Sequence, residues 1–226
     1  MTERKTYPDN MIRVNFKNSK KNINLKSMKI YKKLPIQLFL LSFVFCFCLS
    51  GSMIRHGRAT EKDLWQELKK ENHFALIRHA LAPGTGDPPD FNLRDCATQR
   101  NLSERGRNQA RNIGRLFRAK GIHRAQVYSS QWCRCLETAT LLHLGPVQEL
   151  EILNSFFRHF EKREEQTAAL KRWINDKEIR DPLILVTHQV NITAFTDIFP
   201  GSGEMVIVRK DGQNKFAVLG TIGFEY

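Results

Sequence analysis

The chain has 226 residues, 26% of them charged, and a formal net charge of +13. That length fits one domain of ordinary size plus an extension. The charge belongs mostly to the extension: residues 1–33 hold ten Lys/Arg against Glu3 and Asp9, a net +8, which leaves +5 for the rest. A domain with so mild an excess lacks the basic, aromatic-studded surface of a nucleic-acid binder, so nucleic acid is excluded as a partner.

Leu34 to Leu49 is uncharged and apolar apart from Pro35, Gln37 and Ser42. Lys29, Lys32 and Lys33 precede it and Ser50, Gly51 and Ser52 follow, the order of a secretory signal. The run exceeds a common signal core of roughly 7–15 residues and falls short of the roughly 20 that span a bilayer comfortably. Two outcomes stay open: cleavage after Ser52, or retention as a single anchor that ties the chain to the membrane. Either places the following domain outside the cytoplasm, in the periplasm, because the positive flank stays inside. A buried core helix is the competing reading. The chain divides into a basic extension over 1–33, a signal peptide or anchor over 34–53 and a folded domain over 54–226. Met28-Lys29-Ile30-Tyr31-Lys32-Lys33 makes a conventional signal start, so Met1 and Met28 are alternative initiation sites.

Cys46 and Cys48 fall within the apolar run. In an oxidising compartment the remaining three, Cys96, Cys133 and Cys135, form one disulfide with one thiol left over. Cys96 can pair with Cys133 or with Cys135; Cys133 with Cys135 is disfavoured, because side chains two residues apart rarely reach disulfide geometry. A zinc site is the weaker reading, with no second Cys pair and scattered His.

Thr60 to Lys70 reads as an amphipathic helix capped by Thr60, with Leu64, Trp65 and Leu68 on one face. His73–Ile77 is the first strand, and Leu81 to Arg100 a long loop rich in Pro, Gly and Asp. Ser103 caps a helix through Arg118, ended by Gly121. Ala125–Tyr128 is the second strand, Gln131–Leu142 a helix stopped by Gly145-Pro146, and Val147–Leu153 the third strand. Glu164–Trp173 is a charged helix. Leu183-Ile184-Leu185-Val186 is a buried strand, followed by a helix over Val190–Phe199. Glu204–Arg209 and Phe216–Leu219 close the chain as strands around Asp211-Gly212. Strands alternating with helices imply an α/β fold, a largely parallel sheet with helices on both faces.

Three of these strands end in residues that carry chemistry. The first ends in Arg78-His79, the second in Ser129-Ser130 with Arg134 one helical turn on, and the buried fourth in Thr187-His188. Parallel strands bring these ends to one edge, so two imidazoles and two guanidiniums converge. The set suits a phosphoryl group: Arg forks bind its oxygens, one neutral imidazole attacks phosphorus, and another stabilises the charge that develops.

The four motifs resemble those of the histidine phosphatase superfamily, the phosphoglycerate mutase-like fold. They are Arg78-His79-Ala80; Leu102-Ser103-Glu104-Arg105-Gly106 with Gln109-Ala110; Ser129-Ser130 with Arg134 and Thr138-Ala139; and Thr187-His188, spanning residues 73–221 in order. The resemblance implies that His79 is a nucleophile forming a phosphohistidine and that Arg78, Arg134 and His188 hold the phosphoryl group, with no metal and no cofactor. Two departures bear on the proton donor. Where some members carry an acid late in the third strand, this chain reads Ile152-Leu153-Asn154-Ser155; where others carry Asp after the second His, it has Gln189. Asp87, Glu149 and Glu151 are the candidate donors, with Asp90 and Asp95 behind them. Arg100, Asn101 and Gln189 are candidate substrate contacts. Ala80 stands where Gly is usual, and Ile54-Arg55-His56-Gly57 repeats the first motif by chance, too far from Ser103 to serve it.

The longer phrases over 82–88, 95–102 and 131–135 resemble an exported bacterial subgroup that includes the lipopolysaccharide core heptose(II)-phosphate phosphatases. The resemblance implies a phosphomonoesterase acting on a phosphorylated small molecule or glycan of the envelope. Two alternatives remain: a phosphohistidine phosphatase, or a catalytically silent phosphate-binding protein; a mutase is disfavoured by the missing acid. Trp132, Trp173 and the run Arg158 to Glu165 read as packing and solvated surface.

Overall fold

The structure, a computed structural model, describes residues 60–212 and 215–224. The segments over 1–33 and 34–53 and the Ile54-Arg55-His56-Gly57 stretch lie outside them. Among the described residues, no helix is long and apolar enough to cross a membrane.

The continuous apolar runs form the centre of a six-stranded sheet: β1 (His73–Arg78), β2 (Gln126–Ser129), β3 (Val147–Glu149), β4 (Leu183–Thr187), β5 (Met205–Lys210) and β6 (Phe216–Ile222). Their spatial order is β3-β2-β4-β1-β5-β6. The first four run parallel, whereas β5 pairs antiparallel with β1 and β6 with β5. The mostly parallel α/β expectation holds, with an antiparallel edge added. β1 and β4 are buried along their length because both faces are covered.

Alternation along the strands feeds two separate cores. Ala75, Ile77, Ile184 and Val186 point to one face, where Leu64 and Trp65 of α1 (Glu61–Glu67), Ile113 and Phe117 of α2 (Glu104–Ala119) and Ala139 of α3 (Cys133–Leu141) cover them. Phe74, Leu76, Leu183 and Leu185 point to the other, under Leu170 and Ile174 of α4 (Arg163–Asp176) and Ile192 and Phe195 of α5 (Gln189–Thr196). Burying side chains of this size stabilises by roughly 1.5–3 kcal/mol each. The chain therefore leaves β1 toward one face and β4, its neighbour, toward the other. Such a divergence opens a crevice at the carboxyl ends of the strands.

The helix starts explain two motifs. Ser103 Oγ accepts from Gly106 N at 3.1 Å, a side-chain N-cap. Gly106 is required by close approach, since a Cβ there would lie 2.1 Å from the Leu81 carbonyl oxygen. Gln109 then bridges two loops, accepting from Leu81 N at 3.0 Å and donating to Ser202 O at 2.8 Å. This motif fixes the turn just beyond His79.

The expected third strand ends early. After Glu149 the chain turns into a 3₁₀ segment over Glu151–Leu153 rather than continuing extended to Leu153. Leu153 there is fully buried in the second core, whose packing outweighs the β-propensity of the run.

Candidate active site

The carboxyl ends of β1, β2 and β4 open into a cleft of about 560 Å³ lined by Arg78, His79, Arg134 and His188. The four residues that converge on paper converge in space. His79 is anchored by its backbone, which donates to Thr187 O at 3.0 Å, and by Ala80 N, which donates to Thr138 Oγ1 at 3.0 Å. Thr138 in turn donates to the Arg134 carbonyl at 2.6 Å, which accounts for its place one turn after Arg134.

The His79 ring is buried, with Nδ1 2.8 Å from the Ala80 carbonyl oxygen. A carbonyl only accepts, so Nδ1 carries the proton and Nε2 keeps its lone pair. Burial, reinforced by the Arg134 charge, holds this imidazole well below its ordinary 6.5. It is therefore neutral at neutral pH.

Arg134 and His188 form the rear of the site. Arg134 Nη2 donates toward His188 Nδ1 at 3.4 Å, which leaves the His188 proton on Nε2, 2.8 Å from Ser130 Oγ. Ser130 passes the chain on to Asn154 Oδ1 at 3.2 Å. Burial, then the Arg134 charge, lowers the His188 pKa well below the ordinary value as well. The two rings meet edge to face with centroids 5.5 Å apart.

Asp87 is not a free acid. Its carboxylate accepts from Arg134 Nη1 and Nη2 at 2.8 and 3.0 Å, from Arg100 N at 3.0 Å and from Trp132 Nε1 at 3.1 Å. Burial opposes its ionisation, but these donors, Arg134 first, outweigh it and hold the pKa below the usual range. Asp87 is thus a fixed anion that clamps Arg134. With both Nη groups engaged, the buried Nε of Arg134 is the guanidinium nitrogen left without a hydrogen-bond partner. A donor so placed is costly unless a ligand oxygen meets it.

The other sequence candidates fall on both sides of the cleft wall. Arg100 and Gln189 line it. The Arg100 guanidinium donates to Gly86 O at 2.8 Å and to Ala82 O, bracing the long loop. Burial, with the Arg134 charge, pulls Arg100 down to about 10. Gln189 donates to Thr193 Oγ1 at 2.8 Å. Asn101 does not line the cleft: its amide donates to Cys96 O and Gln99 O at 2.6 and 3.1 Å and holds the loop from behind. Glu149 also sits off the cleft, exposed, taken up by Gln131 at 3.1 Å and Arg94 at 2.8 Å, which together lower its pKa. Glu151 does line the cleft, and it makes no ion pair among the described residues.

Several lining residues escaped the sequence reading. Trp132 packs on Phe91 and on His188, at 5.5 and 5.3 Å between ring centroids, besides holding Asp87. Its position between a strand end and Arg134 was the available signal. Arg158, His159 and Lys162, read as solvated surface, line the outer cleft. Nothing in their sequence spacing announces that the segment after the 3₁₀ turn folds back over the site.

The disulfide is Cys96–Cys133, which resolves the open pairing. It ties the long loop to the start of α3 beside Trp132 and Arg134. Cys135 is the free thiol, and burial pushes it up to about 12. Among the described residues, no three His, Cys, Asp or Glu side chains gather as a metal-ligand set.

A neutral imidazole beside Arg78 and Arg134 in one cleft, on this sheet edge, is the arrangement of a phosphatase. Residues 74–182 match the branch 1 model of the histidine phosphatase superfamily. Among solved structures, the protein histidine phosphatase SixA complexed with tungstate is similar at 13% identity and a TM-score of 0.51, over 66% of this chain and 96% of that one. Mycobacterial hydrolase 1 is similar at 14% identity and 0.51, over 66% and 97%. Phosphoserine phosphatase from Entamoeba histolytica, in complex with 3-phosphoglyceric acid, is similar at 13% identity and 0.50, over 68% and 98%. At such identities the likeness establishes the fold. No curated protein matches the chain.

Proposed function

We propose that this chain is a periplasmic phosphomonoesterase that works without a metal, through a phosphohistidine at His79, on a phosphorylated sugar or another envelope phosphoester. The observation that carries the reading is the state of His79. Its Nδ1 proton is held on the Ala80 carbonyl, so Nε2 is an unprotonated nucleophile at the cleft.

The chemistry follows from the neighbouring groups. The His79 Nε2 lone pair attacks phosphorus as the ester P–O bond breaks. Arg78 and the Nε–H of Arg134 meet the non-bridging oxygens, with Asp87 and His188 fixing the Arg134 plane. The departing oxygen takes a proton from Glu151, the candidate acid that lines the cleft without an ion pair. Water then attacks phosphorus, its proton goes to the Glu151 carboxylate, and the N–P bond breaks to release phosphate and neutral His79. The disulfide and the apolar run over 34–53 support the exported domain organisation and the periplasmic location. The substrate reading leans on the resemblance of the phrases over 82–88, 95–102 and 131–135 to the lipopolysaccharide core heptose phosphatase subgroup.

One observation favours a second reading, a phosphohistidine phosphatase. Asn154 lines the cleft where relatives place an acid, and a phosphoramidate leaving group needs less help from a donor. The experiment is hydrolysis of p-nitrophenyl phosphate and of a phosphohistidine peptide, with EDTA present, by wild type and His79→Ala. The proposal expects ester turnover that survives EDTA and is lost in His79→Ala. Turnover confined to the phosphoramidate supports the second reading. Phosphate binding without any turnover overturns both.

A further inference from the structure

A single phosphoryl group accounts for the inner half of the cleft and leaves two cations unexplained. Arg158 and Lys162 line the same cleft as His79 and are exposed, whereas His79 is buried. Neither makes an ion pair within 4 Å among the described residues: Arg158 Nη1 reaches the Asp87 carbonyl oxygen at 3.4 Å, and the Lys162 ammonium feels the Glu161 carboxylate only from farther off. The neighbouring carboxylate, Glu161, makes its close contact with His159 at 3.2 Å rather than with either cation.

Arg158 is held there by its backbone. Its φ is +72°, a left-handed conformation uncommon for a long side chain. The guanidinium lies against the long loop, where a Cβ on Gly86 would come within 3.2 Å of Nη2. Phe157, one residue earlier, also lines the cleft, as do Trp132 and Phe91, whose rings pack together. At about 560 Å³ the cleft is in the size range of sites that enclose a whole small molecule rather than a bare phosphate.

We infer that Arg158 and Lys162 form a second anion subsite, so that the substrate is a phosphomonoester whose carbon skeleton carries a further phosphate or carboxylate. The aromatic walls hold the skeleton between the two charged ends. The inference rests on the proposed phosphatase reading, because it takes the inner site to receive the scissile phosphate. Two cleft-lining cations that make no close ion pair among the described residues are available to a ligand anion.

The test separates the two ideas. Binding of glucose 1,6-bisphosphate and of glucose 6-phosphate is measured by titration calorimetry on the full chain carrying His79→Ala, which removes turnover. The same measurement is repeated after adding Arg158→Asn with Lys162→Gln; Asn tolerates the left-handed backbone. A further variant, Lys162→Gln alone, guards against misfolding of the double variant. The inference expects the bisphosphate to bind about tenfold or more tightly than the monophosphate, the size of a charge-assisted hydrogen bond. It expects that preference to fall toward one in the double variant and partway in Lys162→Gln. Equal affinities, or a preference that survives both variants, overturn it. Wild-type hydrolysis of p-nitrophenyl phosphate, which has no second anion, reports on the phosphatase reading by itself.

Discussion

The clamp between Asp87 and Arg134 makes a demanding test of the site. Their side chains are 9% and 3% exposed. Removing one charge from such a pair strands the other, at a cost of roughly 3–5 kcal/mol. Asp87→Asn keeps one oxygen for half of the four donors and turns an amide toward the rest. About half of that loss, roughly 2 kcal/mol, is therefore expected, which for a domain of this size lowers Tm by about 4–8 °C. The Arg134 plane also loosens, so KM for p-nitrophenyl phosphate is expected to rise about tenfold while kcat falls less. The pH dependence has a definite sign. The folded pKa of Asp87 lies below its unfolded value, so the clamp contributes fully above an unfolded pKa of about 3.9. The contribution disappears as pH falls through the lower, folded pKa. Thermal unfolding of wild type and variant should show a gap at pH 7 that closes in acid. Equal Tm and KM at pH 7, or a gap of constant size down to pH 3, would refute the clamp.

Three further outcomes follow from the same geometry. Glu151→Gln should cut turnover of a sugar phosphate at least about tenfold and spare p-nitrophenyl phosphate, whose leaving group needs no proton; equal losses on both would remove Glu151 from that role. The neutral state of His79 predicts that kcat/KM, corrected for the substrate's own second ionisation near about 6, stays flat through pH 6.5 and falls only in more acid solution. An acid limb centred at or above 6.5 would contradict the lowered pKa. Because His79 and His188 both bind protons less tightly folded than unfolded, stability too should decline as pH drops below about 6.5. Reducing Cys96–Cys133, which spans 37 residues, should cost about 2–4 kcal/mol and raise KM, since the loop carrying Asp87 loses its tie to α3. Urea unfolding and kinetics with and without dithiothreitol measure both, and identical midpoints would count against a stabilising bridge.

The sequence was legible where one residue type has few uses. Buried runs such as Leu183–Val186 named their strands, and Ser103 and Gly106 named a helix start whose reason is visible in the Leu81 carbonyl contact. The strand-end Arg and His residues could be placed together because parallel order alone brings them to one edge. Side-chain assignments within the long loop were not readable in this way. Asp87, Asp90 and Asp95 look alike in sequence, and the partners that single out Asp87 lie 13, 45 and 47 positions away. The same holds for Arg158 and Lys162, whose surroundings depend on a turn that packing of Leu153, rather than local propensity, imposes. Antiparallel β5 and β6 were located within a residue or so at their starts, but pairing direction is not a property of either strand alone.

The central claim concerns one bond, between phosphorus and Nε2 of His79. The most direct measurement is rapid quenching of wild type during turnover of a phosphomonoester into alkali, where phosphohistidine survives, followed by peptide mass mapping. The account predicts a phosphoryl group on His79 and none in His79→Ala. An enzyme that turns over steadily with no phosphorylated histidine, or with the group on another residue, would contradict it.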